Sequence, residues 1–283
     1  MQTFETGAEV RRTVENWRGS GRRVAFVPTM GALHDGHLAL VRRAGESADR
    51  TVASVFVNPT QFGPGEDFER YPRSPEQDAG LLAGAGCDVL FLPSVEEIYP
   101  PGHTTFIDLG EPALGLEGDH RPGHFRGVAT VVTALFQLVR PDVAVFGEKD
   151  AQQLAVLRRV TRDLHLGVEI VGHPTVRESD GLAMSSRNAY LSPEDRRSAP
   201  VLHRALTAAV EALRQGERNA DALRQTMAEI LAASPRVEVE YAEVVHAETF
   251  RPARQVNGPI VLPIAARLGA TRLIDNLRFE PPN

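Results

Sequence analysis

The chain has 283 residues, 42% hydrophobic and 24% charged, an ordinary composition for a globular protein with one large domain or two moderate ones. Its net charge of −6 argues against a broad surface for nucleic acid. No run approaches the ~20 apolar residues of a membrane helix, and no apolar N-terminal stretch predicts a signal peptide. We expect a soluble, cytoplasmic protein whose single cysteine, Cys87, is buried and has no catalytic role.

Strands and helices are predicted to alternate along the first 171 residues. The predicted strands lie at residues 24–27, 51–57, 89–92, 143–146 and 168–171, and the predicted helices at residues 7–18, 38–44, 75–86, 128–139 and 152–160. This alternation indicates a parallel sheet with crossover helices. Ligands of such sheets bind beyond the carboxyl ends of the strands, where the turns at residues 28–37 and 58–62 fall.

The second part of the chain has a different pattern. A Gly- and Pro-rich stretch at residues 99–123 predicts a functional or mobile loop, and residues 177–188 are polar and contain no predicted strand. The later predicted elements are helices at residues 201–215 and 219–233 and strands at residues 237–245, 260–265 and 273–274. We expect a nucleotide-binding α/β domain over residues 1–175 and a smaller α+β domain over residues 176–283.

The most specific pattern is the turn Pro28-Thr29-Met30-Gly31-Ala32-Leu33-His34-Asp35-Gly36-His37. A strand, a Gly-containing turn and a helix N-terminus place backbone N–H groups and the positive end of a helix where an anion would bind. His34 and His37, three residues apart, would share one face and reach the same phosphate. Taken alone, this spacing fits a solvated helix cap more often than a binding site.

Two later segments carry groups that suit phosphate. Lys149, in Gly147-Glu148-Lys149-Asp150, directly follows a predicted strand and should project from the same sheet edge, unless it is a surface lysine paired with a neighbouring carboxylate. Met184-Ser185-Ser186-Arg187 offers two hydroxyls and a guanidinium on a loop that Gly181 could hinge. The alternative for this second segment is a hydrophilic linker.

Amides and charged groups are candidates for the remaining contacts. Gln61 and the pair Gln152-Gln153 could bind a small hydroxy acid or its amine partner, although surface glutamines are more common. Glu117, Arg121 and His124 form either a structural charge cluster or a wall of the site, and the fixed charge of Arg121 suits a carboxylate.

A metal site is only weakly indicated. Asp78 is a candidate for helping to place Mg²⁺, but one carboxylate does not make a metal site. The sequence has no zinc-ligand spacing, Walker P-loop, dinucleotide glycine fingerprint or Gly-x-Ser-x-Gly elbow.

Residues 29–37 resemble the phosphate-binding signature of the pantothenate synthetase family, a variant of the HIGH motif of nucleotidyltransferases and class I aminoacyl-tRNA synthetases. Residues 184–187 resemble the KMSKS loop of that superfamily, with Arg187 where lysine is more common. The resemblance extends from residue 24 to about residue 191 and is diffuse after residue 200. It implies a homodimer with a Rossmann-like N-terminal domain and a C-terminal lid, and ATP-dependent condensation of pantoate with β-alanine through a pantoyl adenylate, with Mg²⁺ accompanying ATP.

The resemblance also implies roles for individual residues. His34, His37, Lys149 and Arg187 would be catalytic, with His37 as a proton donor that titrates near neutral pH. Gln61 and Gln153 would hold pantoate, with Gln61 also near β-alanine, and Val176 would line the adenine pocket. The residues implied for ATP are Met30, Gly31, Ala32, Leu33, His34, Asp35, Gly36, His37, Gly147, Glu148, Lys149, Asp150, Val176, Met184, Ser185, Ser186 and Arg187.

Two other functions fit the same motifs. One is a nucleotidyltransferase of the same superfamily, which joins a nucleotide to a phosphorylated acceptor and forms no amide. The other is a regulator that binds a nucleotide without catalysis.

Overall fold

A parallel β-sheet with helices on both faces forms the first part of the chain in the computed structural model, which describes residues 1–282. Residue 283, the last of the predicted second domain, lies outside the described residues. In chain order the elements are β1 Gln2–Phe4, α1 Gly7–Gly19, β2 Val24–Thr29, α2 Asp35–Ser47, β3 Arg50–Val55, α3 Pro75–Gly84, β4 Val89–Phe91, α4 Val95–Ile98, α5 Glu117–His120, α6 His124–Val139, β5 Val143–Gly147, α7 Ala151–Asp163 and β6 Glu169–His173, with short 3₁₀ turns at Pro59–Gln61 and Glu148–Asp150.

The strands of this sheet are ordered β1-β4-β3-β2-β5-β6, and every neighbouring pair is parallel. Because β2 and β5 are neighbours and carboxyl ends of parallel strands meet at one edge, the turns after Thr29 and Gly147 lie next to each other. The α/β prediction is confirmed. The strand of this sheet missing from the prediction is β1, because Gln2, Thr3 and Phe4 form no apolar run.

Apolar side chains fill both faces of the sheet. Val10 of α1 and Leu157 of α7 pack in one cluster, and Val41 of α2 and Leu82 of α3 pack in the cluster on the other face. Residues 24–27 of β2 are completely buried, which explains why this central strand is a continuous apolar run without alternation.

The second part of the chain contains a 3₁₀ turn and a helical layer on an antiparallel sheet. Its elements are the 3₁₀ turn Ser186–Tyr190, α8 Pro193–Ser198, α9 Val201–Arg214, α10 Ala220–Ala232, β7 Val237–Ala242, β8 Val245–His246, β9 Ile260–Leu268 and β10 Thr271–Phe279. Strand β9 pairs with β10, β7 and β8. The proposed division at residue 175 lies between His173, where β6 ends, and Leu182, the first residue of the core cluster in this part.

Two strand predictions differ from the structure in extent. The expected strand at residues 237–245 is divided into β7 and β8, with a register shift between Val239 and Tyr241. The expected strand at residues 273–274 lies within the nine-residue β10, in which Asp275 and Asn276 are buried polar residues that interrupt the apolar pattern. No helix among residues 1–282 has the length and apolarity that a membrane crossing requires.

Gly127 lets α6 approach the turn Pro59–Gln61 more closely than any side chain would allow. A Cβ atom on Gly127 would lie 2.4 Å from the carbonyl oxygen of Thr60. Asn58 joins the two elements, since its Nδ2 donates to the carbonyl oxygen of Gly127 over 3.2 Å and to Oε1 of Gln61 over 3.0 Å. The position of Gln61 therefore depends on this close contact.

We expect Gly127→Ala to displace the turn and lower the free energy of unfolding by about 1–3 kcal/mol, the usual cost of overpacking. Gly80→Ala is the matched control, because Gly80 is an exposed residue in α3 with no atom within 4 Å of an added Cβ. That substitution should be neutral or stabilise by up to ~1 kcal/mol. Urea denaturation measures both, and equal stability of the two variants would contradict the close-contact role of Gly127.

Candidate functional site

A cavity of about 240 Å³ lies beyond the carboxyl ends of β2 and β5. Three segments far apart in the sequence meet around it and contribute His34 and His37, Lys149, and the run Ser185 to Arg187. Imidazole and hydroxyl donors, an ammonium and a guanidinium thus face one space. This is the chemistry of an anion-binding site.

Most of the residues that the resemblance implies for ATP line this cavity, and so do Gln61 and Gln153. The lining residues from that set are Met30, His34, Gly36, His37, Gly147, Lys149, Asp150, Val176, Met184, Ser185, Ser186 and Arg187. Those that do not line it are Gly31, Ala32, Leu33, Asp35 and Glu148. Leu33 is buried in the apolar cluster with Val41, and it supports the turn from behind.

Asp78 holds the turn at residues 30–34 in shape. Its carboxylate accepts hydrogen bonds from the backbone N–H groups of Ala32, at 3.1 Å, and Leu33, at 2.9 Å, and the residue is 2% exposed. Gly31 has a φ of +85°, and a Cβ there would lie 2.8 Å from Oδ2 of Asp78. Asp78, the weak candidate for placing Mg²⁺, therefore holds the backbone of this turn and does not line the cavity.

No dedicated protein metal centre is visible in the described residues. Within residues 1–282, no group of three or more His, Cys, Asp and Glu side chains is arranged to hold a metal ion. Among residues 1–282, Asp150 is the only one with a carboxylate that lines the cavity. A single carboxylate fits Mg²⁺, which typically keeps several waters and is held mainly by substrate phosphates.

The two histidines are held in one tautomer by the backbone. Nδ1 of His34 accepts a hydrogen bond from the N–H of Gly36 over 3.1 Å, and Nδ1 of His37 accepts one from the N–H of His34 over 3.3 Å. A neutral imidazole whose Nδ1 accepts must carry its proton on Nε2. Both rings, whose centres are 4.1 Å apart, therefore keep an Nε2–H donor for a ligand.

These histidines are neutral at physiological pH. Burial is the largest of three causes that together lower the pKa of His37 to about 3, and the adjacent His34 and Lys149 are the other two. Burial and Lys149 also lower the pKa of His34. The low pKa of His37 differs from the expectation that this residue titrates near neutral pH, because its half-buried ring lies beside His34 and Lys149, whose positive charge disfavours protonation.

Arg187 and Arg121 are each paired with a carboxylate from the segment at residues 62–73. Asp67 accepts from Nη2 of Arg187 at 3.1 Å, and Glu66 accepts from Nη2 of Arg121 at 2.7 Å. Burial raises the pKa of these two carboxyls, but the hydrogen bonds and charge of their arginines outweigh it and lower the pKa overall. Sequence reasoning missed both partners, because Gly63-Pro64-Gly65 marks a loop without indicating what it contacts.

Asn58 orients the amide of Gln61. Because Asn58 donates to Oε1 of Gln61, the Nε2 group of Gln61 points to Sδ of Met30, 3.1 Å away in the cavity wall. Asn58 is in turn held by the hydroxyl of Tyr99 at 2.8 Å. The only sequence signal for Asn58 is its position at the end of a predicted strand, and that signal is too weak to single it out.

One part of the cavity wall is apolar. Its residues come mainly from the face of α6 that the sequence predicts to be buried, with one phenylalanine from β5 and one directly after β3. They are Phe56, Val128, Val131, Val132, Leu135 and Phe146. In sequence these residues cannot be separated from ordinary core residues, because helical periodicity identifies a buried face and not the cavity beside it.

The structure separates the charged residues whose role the sequence left open. Arg121 and His124 line the cavity, whereas Glu117 binds Arg272 over 2.8 Å and the hydroxyl of Tyr241 over 2.6 Å. Burial opposes ionisation of Glu117, but Arg272 lowers its pKa to about 2. Glu117 is thus part of a structural charge cluster between the second sheet and the Gly- and Pro-rich insert at residues 99–123.

Gln152 and Gln153 are also separated. Nε2 of Gln152 donates to the carbonyl oxygens of Pro112 and Gly115, both at 3.1 Å, so this buried amide holds the insert in place. Gln153 lines the cavity. Adjacent residues of a helix point about 100° apart, which explains why one faces the loop and the other the ligand space.

The parallel sheet, together with a cluster of anion-binding groups beyond its strand ends, places the protein among α/β proteins of the nucleotide-binding type. The chain belongs to the Pantoate-beta-alanine ligase family, whose profile matches residues 2–278. It is 52% identical to the pantothenate synthetase of Pelotomaculum thermopropionicum, over 98% of each chain, and 55% identical to that of Rubrobacter xylanophilus, over 95% of each chain.

Solved structures agree with this assignment. The crystal structure of pantothenate synthetase from Thermus thermophilus has a TM-score of 0.92 and 53% identity, and the match covers 98% of this chain and 99% of that chain. The pantoate-beta-alanine ligase from Francisella tularensis, solved in complex with beta-gamma ATP and beta-alanine, has a TM-score of 0.77 and 34% identity, over 98% and 97% of the two chains.

The low pKa of His37 predicts a loss of stability in acid. At pH values between 6.5, the ordinary pKa of histidine, and about 3, the unfolded chain binds a proton at this residue that the folded chain does not. The free energy of unfolding therefore falls as the pH falls. From pH 7 to pH 4, His37 should account for roughly 3 kcal/mol of lost unfolding free energy. The His37→Gln variant should lack this part of the acid-induced loss of unfolding free energy, as measured by urea denaturation at several pH values.

His124 provides a constant background in that experiment. Burial and Arg121 lower its pKa to about 4, so it destabilises both proteins in acid by the same mechanism. An identical pH dependence of the two proteins would show that His37 is not held neutral by the fold.

Proposed function

We propose that this protein catalyses the ATP-dependent condensation of (R)-pantoate with β-alanine to pantothenate, through a pantoyl adenylate, with release of AMP and pyrophosphate. The observation that carries the proposal is the meeting of His34 and His37, Lys149, and Ser185 to Arg187 around one cavity. Membership of the Pantoate-beta-alanine ligase family supports the same reaction.

In the first step, a carboxylate oxygen of pantoate attacks the α-phosphorus of ATP. A carbon–oxygen–phosphorus anhydride forms, the bond to the bridging oxygen of pyrophosphate breaks, and negative charge develops on the departing pyrophosphate. Lys149 and Arg187 would neutralise this charge, and the hydroxyls of Ser185 and Ser186 would donate hydrogen bonds to the phosphate oxygens.

His34 and His37 would contribute as neutral hydrogen-bond donors through Nε2–H. Attack by a carboxylate requires no general base, and pyrophosphate needs no proton in order to leave. We therefore propose a role for His37 that differs from the proton donor expected from the sequence: it stabilises charge on the phosphates without transferring its own proton. Its low pKa in the ligand-free protein supports this assignment.

In the second step, the neutral amine of β-alanine attacks the acyl carbon, the bond from the acyl carbon to oxygen breaks, and AMP leaves as one proton is released. The amides of Gln61 and Gln153 would hold pantoate, whose methyl groups suit the apolar wall that α6 supplies. Arg121, whose Nη2 lies 3.5 Å from the carbonyl oxygen of Gln61, would bind the carboxylate of β-alanine.

Mg²⁺ would enter with ATP. Bound to the triphosphate, it would supply further neutralisation of charge on the phosphates, and Asp150 is the cavity carboxylate placed to contact it. Val176, which lines the same cavity, would contact the adenine. We further propose that the protein is a cytoplasmic homodimer in which residues 1–175 bind the nucleotide and residues 176–283 act as a lid over the substrates.

Trapping with hydroxylamine tests the reaction. Wild-type protein is incubated with ATP, Mg²⁺ and pantoate, then treated with hydroxylamine, and the expected products are pantoyl hydroxamate and pyrophosphate. Omitting pantoate is the control and should abolish both. A nucleotidylated acceptor, or tight binding of ATP without turnover, would overturn the proposal.

Lys149→Ala and His37→Ala should each slow hydroxamate formation by roughly 10²–10³-fold, the usual effect of removing a donor that stabilises transition-state charge. Arg278→Ala is the control, because Arg278 is an exposed residue whose side chain pairs with Glu280. Circular dichroism verifies folding. Near-normal activity of either variant removes that residue from the mechanism.

In the ligand-free protein the carboxylate of Asp67 pairs with the guanidinium of Arg187. Asp67→Asn should therefore free the guanidinium and strengthen ATP binding. For a partly exposed ion pair the gain should be roughly two- to fivefold in Kd, measured by calorimetry with Mg²⁺ and ATP. Glu66→Gln is the matched control, since Glu66 pairs with Arg121, and it should leave ATP binding unchanged. Unchanged or weaker binding in Asp67→Asn would show that Asp67 does not compete with the nucleotide.

A further inference from the structure

Two buried neighbours in β10 contact the turn that carries Lys149 and the start of the loop that leads to Ser185. Asn276 is 7% exposed and Asp275 is 3% exposed. Their strand belongs to the second sheet and pairs with neither β2 nor β5. Neither residue was singled out by its sequence. Their contacts explain why polar side chains are kept inside this strand.

Asn276 holds the backbone of the 3₁₀ turn Glu148–Asp150, referred to below as the lysine turn. Its Nδ2 group donates one hydrogen bond to the carbonyl oxygen of Glu148 over 2.9 Å and another to that of Lys149 over 2.8 Å. Both N–H bonds of the amide are therefore used. The opposite orientation would place Oδ1 against two carbonyl oxygens, so the contact specifies an amide in this orientation.

Asp275 holds the segment that leads to Ser185. Its carboxylate receives both terminal nitrogens of Arg177, at 2.7 and 2.9 Å, and Arg177 also donates to the carbonyl oxygen of Gly181 at 3.0 Å. Residues 176 and 184 are joined across the base of this loop by the hydrogen bond from the N–H of Met184 to the carbonyl oxygen of Val176. A buried bidentate ion pair of this kind fixes both the distance and the orientation of Arg177 relative to Asp275.

The two sets of contacts are coupled through one peptide unit, because the backbone N–H of Asn276 donates to Oδ1 of Asp275 over 2.7 Å. We propose that Asp275 and Asn276 form a clamp that sets the separation of Lys149 from Ser185 to Arg187, so that all of these groups reach one triphosphate. These two residues of β10 are positioning residues and touch no reacting atom. The proposal rests on the proposed function, since it assigns the clamp to the pyrophosphate-releasing step.

The clamp predicts an effect on one half of the reaction only. Pyrophosphate has left before β-alanine attacks, so the spacing of the groups that bind the triphosphate matters for adenylate formation and much less for amide formation. Asn276→Ala should slow pantoate-dependent pyrophosphate release by roughly 10- to 100-fold, as expected for a misplaced catalytic group. The reaction of β-alanine with supplied pantoyl adenylate should change by less than twofold.

Asn276→Asp sharpens the test. It keeps the size of the side chain but replaces the donors with carboxylate oxygens that repel the carbonyls of Glu148 and Lys149, so the first half-reaction should be slower than in Asn276→Ala. Leu273→Val is the matched control, because Leu273 lies in the same strand β10 but its side chain packs in the apolar core of the second part. It should slow neither half-reaction.

Lys149 is the only lysine in the sequence, which provides a readout besides activity. Acetylation of amines, followed by mass spectrometry, reports on Lys149 alone, with the N-terminal amine as an internal reference. ATP should protect Lys149 in the wild-type protein and in Leu273→Val, and protection should be at least threefold weaker in Asn276→Ala.

The outcomes separate the clamp from the proposed function. Equal slowing of both half-reactions would indicate general structural damage and would overturn the clamp, as would unchanged rates in both Asn276 variants. If the wild-type protein forms no pantoyl hydroxamate, the proposed function fails, and full ATP protection of Lys149 in Asn276→Ala would then overturn the clamp independently.

Discussion

Groups that bind a triphosphate must lie side by side in one cavity before the anion arrives, and like charges held so close repel one another. The protein limits this repulsion in two ways. His34 and His37 stay neutral because burial and Lys149 lower their pKa, while Arg187 and Arg121 each carry a carboxylate partner. The cavity therefore has its donors in place, and the charges of both arginines are offset by carboxylates.

This constraint explains why residues outside the cavity are needed. Neutral imidazoles are useful only if their Nε2–H groups face the ligand, and the backbone N–H groups of His34 and Gly36 ensure this by occupying both Nδ1 atoms. Asp78 in turn holds the backbone of the turn, and Asn58 plays the equivalent part for Gln61. The buried side chains of Asp78, Asn58 and Gln61 each have a backbone or side-chain partner, as the low dielectric of the interior requires.

The second sheet contributes to the site through its contacts with the first part of the chain. Glu117 binds Arg272 of β10 at the insert, and Asn276 of the same strand binds the turn that carries Lys149. The strand order places β2 beside β5, so the first two anion-binding segments are brought together within one sheet. The third follows β6 and needs contacts from elsewhere in the fold, which Arg177 and Asp275 provide.

Much of the fold could be predicted because buried strands and amphipathic helices leave local patterns. The apolar run at residues 24–27 and the spacing of Leu38, Val41 and Ala44 identify β2 and α2 without any knowledge of their neighbours. Strand β10 is largely absent from the prediction because Asp275 and Asn276 interrupt its apolar pattern. Both side chains are satisfied inside the protein by partners more than ninety residues away in sequence. Periodicity reports the side of an element that is buried, and it carries no information about which polar group satisfies another.

The sequence by itself determined the chemical types available at the site, because the turn after β2, the turn after β5 and the Ser-Ser-Arg loop each have a local motif. Only the tertiary structure decided the charge state of His37, the partners of Arg187 and Arg121, and the separate roles of Gln152 and Gln153. It also decided that the carboxylate of Asp78 binds the backbone N–H groups of Ala32 and Leu33. These properties depend on burial and on distances between segments, which are set when the whole chain packs and have no local signature in the order of the residues.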